Sequence, residues 1–150
     1  MKNLLIMIML VMATFSANAQ TANPVKWTFT SQKKADNVYE VLLTATFAKP
    51  WHVYSQLTPD GGPLPTKISF AANPLLIVDG APRENGDVKT KHDPSFGVDV
   101  KYFSDKVEFV QTIKMRTAVK TDVRGTVEYM VCNDTKCLPP VKQTFDVKLQ

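Results

Sequence analysis

Two cysteines in a chain of 150 residues are too few for a disulfide-stapled miniprotein, which substitutes several cross-links for a core. Beyond the N-terminus no apolar run approaches the about 20 residues of a helical membrane span. Lysines and arginines are scattered among the acids, with no basic stripe interleaved with aromatics, so nucleic-acid binding has no support. No segment sustains the spacing of an amphipathic helix of ordinary length. Internal repeats and low-complexity segments are missing as well. The two histidines, His52 and His92, lack the His-x-x-x-His spacing of a helical metal site.

What is present begins with an export signal. Lys2 gives a positive start, residues 4–15 are almost unbroken apolar sequence, and Ala17-Asn18-Ala19 offers the small side chains a signal peptidase accepts. Residues 1–19 are therefore expected to be removed, with no cysteine at the cleavage point for a lipid anchor. Loss of Lys2 lowers the formal charge from +4 to +3, which mainly serves solubility. Residues 20–150 are expected to form one domain without a membrane span of its own, large enough to bury its own core. No linker to a further domain is expected.

The remaining sequence alternates. Tyr39, Val41, Leu43, Ala45 and Phe47 share one face of a run over residues 38–47. Val107, Phe109, Gln111, Ile113 and Met115 share a face over 107–115. Similar runs cover 25–30, 126–131 (Val127, Tyr129 and Val131 together) and 143–149 (Phe145, Val147 and Leu149 together). Shorter candidates are 51–54, 67–70, 75–78 and 100–103. This period of two, in β-branched and aromatic residues, predicts strands. Turns are expected at Pro59-Asp60-Gly61-Gly62-Pro63, Asn73-Pro74, Asp79-Gly80-Ala81-Pro82 and Asn85-Gly86-Asp87. The fold class expected is all-β, an immunoglobulin-like β-sandwich. The Cys…Trp…Cys spacing of antibody domains is absent.

Four residues separate Cys132 from Cys137. Strand pattern leads in through Tyr129-Met130-Val131 and resumes after Leu138-Pro139-Pro140, so the pair brackets a hairpin tip or a bent strand connection. Pro139 and Pro140 fix φ and remove two backbone donors, which stiffens the exit. Three readings stay open. A structural disulfide closing so short a loop is worth about 2 kcal/mol in the chain-entropy account, less than a bridge between distant strands. A redox pair needs two thiols close enough to bridge and one within reach of an attacking thiolate. Lys136 and Lys142 favour a thiolate there, and Asp134 opposes it. A zinc site would combine the cysteines with His52 and His92, although an exported cysteine pair more often forms a disulfide. A cysteine protease is disfavoured, because the second thiol would quench the nucleophile.

The segment from Val127-Glu128-Tyr129 through Cys132-Asn133-Asp134-Thr135-Lys136-Cys137 to Leu138-Pro139-Pro140 resembles the N-terminal periplasmic domain of the transmembrane thiol-disulfide reductase DsbD. Trp51-His52-Val53-Tyr54 and His92-Asp93-Pro94-Ser95-Phe96-Gly97 match in the same order, and the resemblance covers nearly all of residues 20–150. It implies an immunoglobulin-like domain that takes electrons from a thioredoxin-like donor domain and passes them to periplasmic disulfide-containing proteins. Cys137 would be the attacking cysteine and Cys132 the resolving one. Phe96 would cap the pair, Asp93 would supply an acid near the thiols, and Tyr54 an aromatic beside them. No cofactor is implied. His52 stands where the family has a second tyrosine, the cysteine spacing is one residue shorter, and Pro94 and Ser95 replace an acidic-aromatic pair. The family's membrane conduit and C-terminal thioredoxin part are not in this sequence, so a separate reductant is expected.

Plainer readings stand beside these roles. Phe96 would plug the core, Asp93 would only initiate a turn before Pro94, and Tyr54 and Trp51 would be core or rim aromatics. His52 would be a partly exposed strand residue, able to act as a base only beside a thiol. The alternative function is a secreted β-sandwich binding module with a structural disulfide and no exchange activity.

Overall fold

The protein is described by a computed structural model over residues 23–149; the expected signal segment, residues 1–19, lies outside them. Alternation builds the first sheet. In β2 (Val38–Phe47) Tyr39, Val41, Leu43, Ala45 and Phe47 are all buried, as are Val107, Phe109, Gln111 and Ile113 of β8 (Lys106–Met115). These two strands pair antiparallel, and β1 (Val25–Ala35) and β5 (Leu76–Gly86) flank them in the order β1-β2-β8-β5.

Two further sheets supply the rest. One has the order β11 (Val141–Leu149), β9 (Thr121–Tyr129), β4 (Lys67–Phe70). The other runs β10 (Val131–Cys132), β3 (His52–Tyr54), β7 (Val98–Phe103), β6 (Lys89–Asp93). Val41, Leu43, Phe109, Val127, Tyr129, Phe145 and Leu149 meet in one core drawn from these sheets. Period-two strands force this arrangement, since each has one apolar face to cover. The result is the expected immunoglobulin-like β-sandwich, with no helix among the described residues.

Several boundaries differ from the sequence expectation. Asp79-Gly80-Ala81-Pro82 is not a turn between strands. β5 runs through it with a bulge, its register against β8 shifting between Asp79 and Arg83. Gly80 takes φ 70°, and the buried Gln111 amide donates to the carbonyls of Asp79 at 2.9 Å and Gly80 at 3.3 Å. Pro82 is tolerated because β5 is an edge strand. Asn85 and Gly86 still pair with β8, and the expected turn follows at once, Val88 N–H donating to the Gly86 carbonyl at 3.0 Å. β1 continues past Thr30 to Ala35, where Asn37 at φ 58° makes the reversal into β2. The segment 89–93 is a strand the alternation did not reveal.

Gly125 of β9 marks the tightest approach. A Cβ there would overlap the Ser69 carbonyl oxygen and the Phe145 ring. The Phe145 ring centroid lies 5.3 Å from that of Phe29 and 5.7 Å from that of Phe70, so aromatic packing fills the space a side chain would take.

Candidate functional site

Met130 separates β9 from β10, and the chain changes sheets there. Val131 still enters the main core, while Cys132 points the other way. The whole β10-β3-β7 sheet is two-faced in this manner. Val131, Val53 and Phe103 seal the main core. Cys132, Tyr54 and Val100 form a second, smaller cluster, with Val98, Tyr102 and Met130 packed against it.

Cys132 and Cys137 are joined by a disulfide. Their backbones also form an antiparallel bridge, so the pair closes a hairpin tip. The loop inside it is ordered by Asn133. Its N–H donates to the Lys136 carbonyl at 2.9 Å, and its side-chain oxygen accepts from the N–H groups of Thr135 and Lys136 at 2.9 and 2.8 Å. Leu138 N–H returns to the Val131 carbonyl at 2.8 Å. The Lys136 ammonium lies 6.0 Å from the Trp51 ring centroid. The two cysteines differ in access: Cys132 is 1 % exposed, and Cys137 is exposed.

His52 pairs with Cys132 across the β10–β3 ladder. It is 3 % exposed rather than partly exposed as its strand pattern suggested, because its ring is enclosed by Tyr54 and Tyr102 at centroid distances of 5.5 and 4.8 Å. Burial, reinforced by the Lys91 ammonium, lowers its pKa from 6.5 to about 4, against the smaller opposing pull of Asp134 and Asp93. Its Nε2 is buried without a hydrogen-bond partner. Burial and then the Asp93 carboxylate raise the pKa of Tyr54, keeping its phenol protonated. Lys91 sits 5.2 Å over the Tyr102 ring.

Asp93 does organise a turn: its side chain accepts from Ser95 N–H at 3.0 Å, and its carbonyl accepts from Phe96 and Gly97 N–H at 3.2 and 2.7 Å. It is also felt electrostatically at both His52 and Tyr54. Asp93 pairs with Val98, four residues along β7 from Tyr102, which pairs with Tyr54. On a flat ladder that is about 13 Å of strand. Val98 packs against the Cys132 cluster, which puts its partner Asp93 at the edge of that face. Phe96 occupies the tip of this hairpin and is 41 % exposed, so it does not plug the core.

His92 faces away from the cluster and binds Asp99 at 2.9 Å, Nδ1 to carboxylate. Among the described residues no three metal-binding side chains are grouped. Asn133, Val100 and Met130 belong to the site without having been singled out by sequence. The spacing of Val98, Val100 and Tyr102 was the available signal for that face.

The family model described as thiol:disulfide interchange protein DsbD, N-terminal, matches residues 18–149. The reduced form of the DsbD N-terminal domain of Neisseria meningitidis is similar at TM-score 0.52 and 20 % identity, over 80 % of this chain and 82 % of that one. A structure of the complex between the DsbD N-terminal and PilB N-terminal domains of the same organism gives TM-score 0.52 and 18 % identity, over 81 % and 80 %. At such identities the solved structures establish the fold alone. Among curated proteins none matches. By the reach of the family model, this chain belongs to the family of DsbD N-terminal domains.

Proposed function

We propose that this chain is a periplasmic thiol-disulfide exchange module working through Cys137. Family membership supports the exchange chemistry. The observation that carries the finer reading is the asymmetry of the pair, an exposed Cys137 in front of a buried Cys132. A partner's thiolate attacks Cys137 Sγ, the disulfide breaks, and Cys132 leaves as a thiolate. The partner's second thiolate then attacks its own sulfur in the mixed disulfide. The partner departs oxidised, and this chain is left with two reduced sulfurs. In the return half, Cys137 thiolate attacks a substrate disulfide, and Cys132 resolves the mixed disulfide by attacking Cys137 Sγ.

The donor is a thioredoxin-like domain, and the substrates are periplasmic proteins bearing disulfides. The complex of the Neisseria DsbD N-terminal domain with a PilB N-terminal domain supports docking of a partner domain on this kind of fold. The expected signal segment supports export. The position of Phe96, exposed at the tip of the β6–β7 hairpin beside Val98 of the Cys132 cluster, supports it as a cap that a docking partner displaces. Stability is a weak motive for the disulfide, since the backbone bonds of Asn133 and Leu138 already close the tip.

A Cys132→Ala variant incubated with periplasmic extract should accumulate mixed disulfides through Cys137, and Cys137→Ala should accumulate none. Trapping by Cys137→Ala alone would reverse the two roles. A disulfide with a reduction potential below about −300 mV would resist glutathione and point instead to a binding module with a structural cross-link.

A further inference from the structure

We infer that His52 Nε2 is the proton acceptor for Cys132 when Cys132 resolves the mixed disulfide. This inference rests on the exchange reading above and adds to it the residue that handles the proton. Register places the two side chains on one face, directly opposite one another. Such a pair holds its Cβ atoms within about 5.5 Å. Both residues are almost fully enclosed, Cys132 at 1 % and His52 at 3 % exposure.

The orphaned Nε2 is the second observation. A buried imidazole nitrogen without a partner is costly and uncommon. In the disulfide, the neighbouring Cys132 sulfur carries no hydrogen to offer. Once the bond is reduced, that sulfur bears an S–H, and the free nitrogen gains a donor. The site is thus incomplete in its oxidised form and complete in its reduced one.

The groups facing His52 pull in both directions, with the balance against a resident imidazolium. Lys91 of β6 disfavours the imidazolium, whereas Asp93 of β6 and Asp134 of the cysteine loop favour it. Tyr54 of β3 and Tyr102 of β7 wall the ring on its apolar side. In the disulfide the imidazole is neutral at neutral pH, and in its Nδ1–H tautomer Nε2 carries a free lone pair. During resolution Cys132 S–H gives its proton to Nε2 as Cys132 Sγ bonds to Cys137 Sγ. The bond from Cys137 to the partner breaks, and the partner's sulfur leaves as a thiolate. The imidazolium then returns its proton to solvent or to that departing thiolate as the docked partner separates.

The test uses reduced protein mixed rapidly with 5,5′-dithiobis(2-nitrobenzoate). Attack by Cys137 releases the first thionitrobenzoate, and resolution by Cys132 releases the second. His52→Phe should leave the first phase unchanged and slow the second at least about tenfold. An unchanged second phase overturns the inference. A mutation-free readout is the imidazole ¹⁵N shift of His52 in wild-type protein. Nε2 should move on reduction as it accepts the S–H, and an unmoved resonance overturns the inference equally. Failure of the exchange reading looks different, because the wild-type disulfide would then have a reduction potential below about −300 mV, whatever the rate of the second phase.

Discussion

Asn133 and Lys136 hold each other twice: the Asn133 N–H donates to the Lys136 carbonyl at 2.9 Å, and the Lys136 N–H donates to the Asn133 side-chain oxygen at 2.8 Å. The two cysteines are thereby held facing one another by backbone as well as by sulfur. Asn133→Ala removes the side-chain half of this clasp. The reduced thiols then meet less often, and the disulfide becomes easier to reduce. Loss of about 1 kcal/mol of net hydrogen bonding corresponds to about a fivefold shift toward the dithiol. Equilibration with glutathione buffers of graded ratio measures it.

On the proposed cap role of Phe96, Phe96→Ala should accelerate reduction of the disulfide by dithiothreitol. The side chain is 41 % exposed. Its removal should therefore alter global stability by less than about 0.5 kcal/mol. A stopped-flow reduction rate paired with a urea midpoint separates the two effects. An unchanged rate would remove Phe96 from the cap role.

Stability should depend on pH through His52. In the folded disulfide form its pKa is about 4 against an ordinary 6.5, so between these values the unfolded chain binds a proton that the folded chain does not. Stability therefore falls as pH drops from 6.5 toward 4, and is insensitive to this group above 6.5. The loss attributable to His52 is on the order of 3 kcal/mol at its fullest. Urea denaturation of wild type and His52→Phe at pH 7 and pH 4.5 isolates it, since the variant should lack this component.

Gly125→Ala should destabilise the sandwich even though alanine is the better strand residue. The added methyl meets the Ser69 carbonyl and the Phe145 ring. Overpacking of this kind costs about 1–3 kcal/mol. The denaturation midpoint reports it, and the reactivity of the cysteine pair, which lies in another sheet, should be unaffected.

The legible parts of the fold are those where one face is buried and the other is not. Tyr39 to Phe47 and Val107 to Ile113 announced themselves because each second residue enters the core. Asp79 to Pro82 misled because its glycine and proline serve a bulge whose carbonyls are satisfied by Gln111, a partner 31 and 32 positions away in sequence. The strand Lys89–Asp93 carries polar residues on both faces at a sheet edge, so periodicity had nothing to register.

The site shows the same division. The cysteines, Tyr54, His52 and Asp93 were named from the residues that carry the family pattern. The burial of His52 was not foreseen, because it comes from Tyr102, a ring supplied by a strand distant in sequence. Asn133 escaped notice because a loop asparagine reveals its three acceptor contacts only once the loop is closed.

Met130, where the chain steps from one sheet to the next, leaves odd and even positions of three short strands with separate duties. Val53, Phe103 and Val131 face the main core; His52, Tyr102 and Cys132 face the candidate site. A library that randomises only the latter parity, sparing the cysteine, would sample redox behaviour across a constant scaffold.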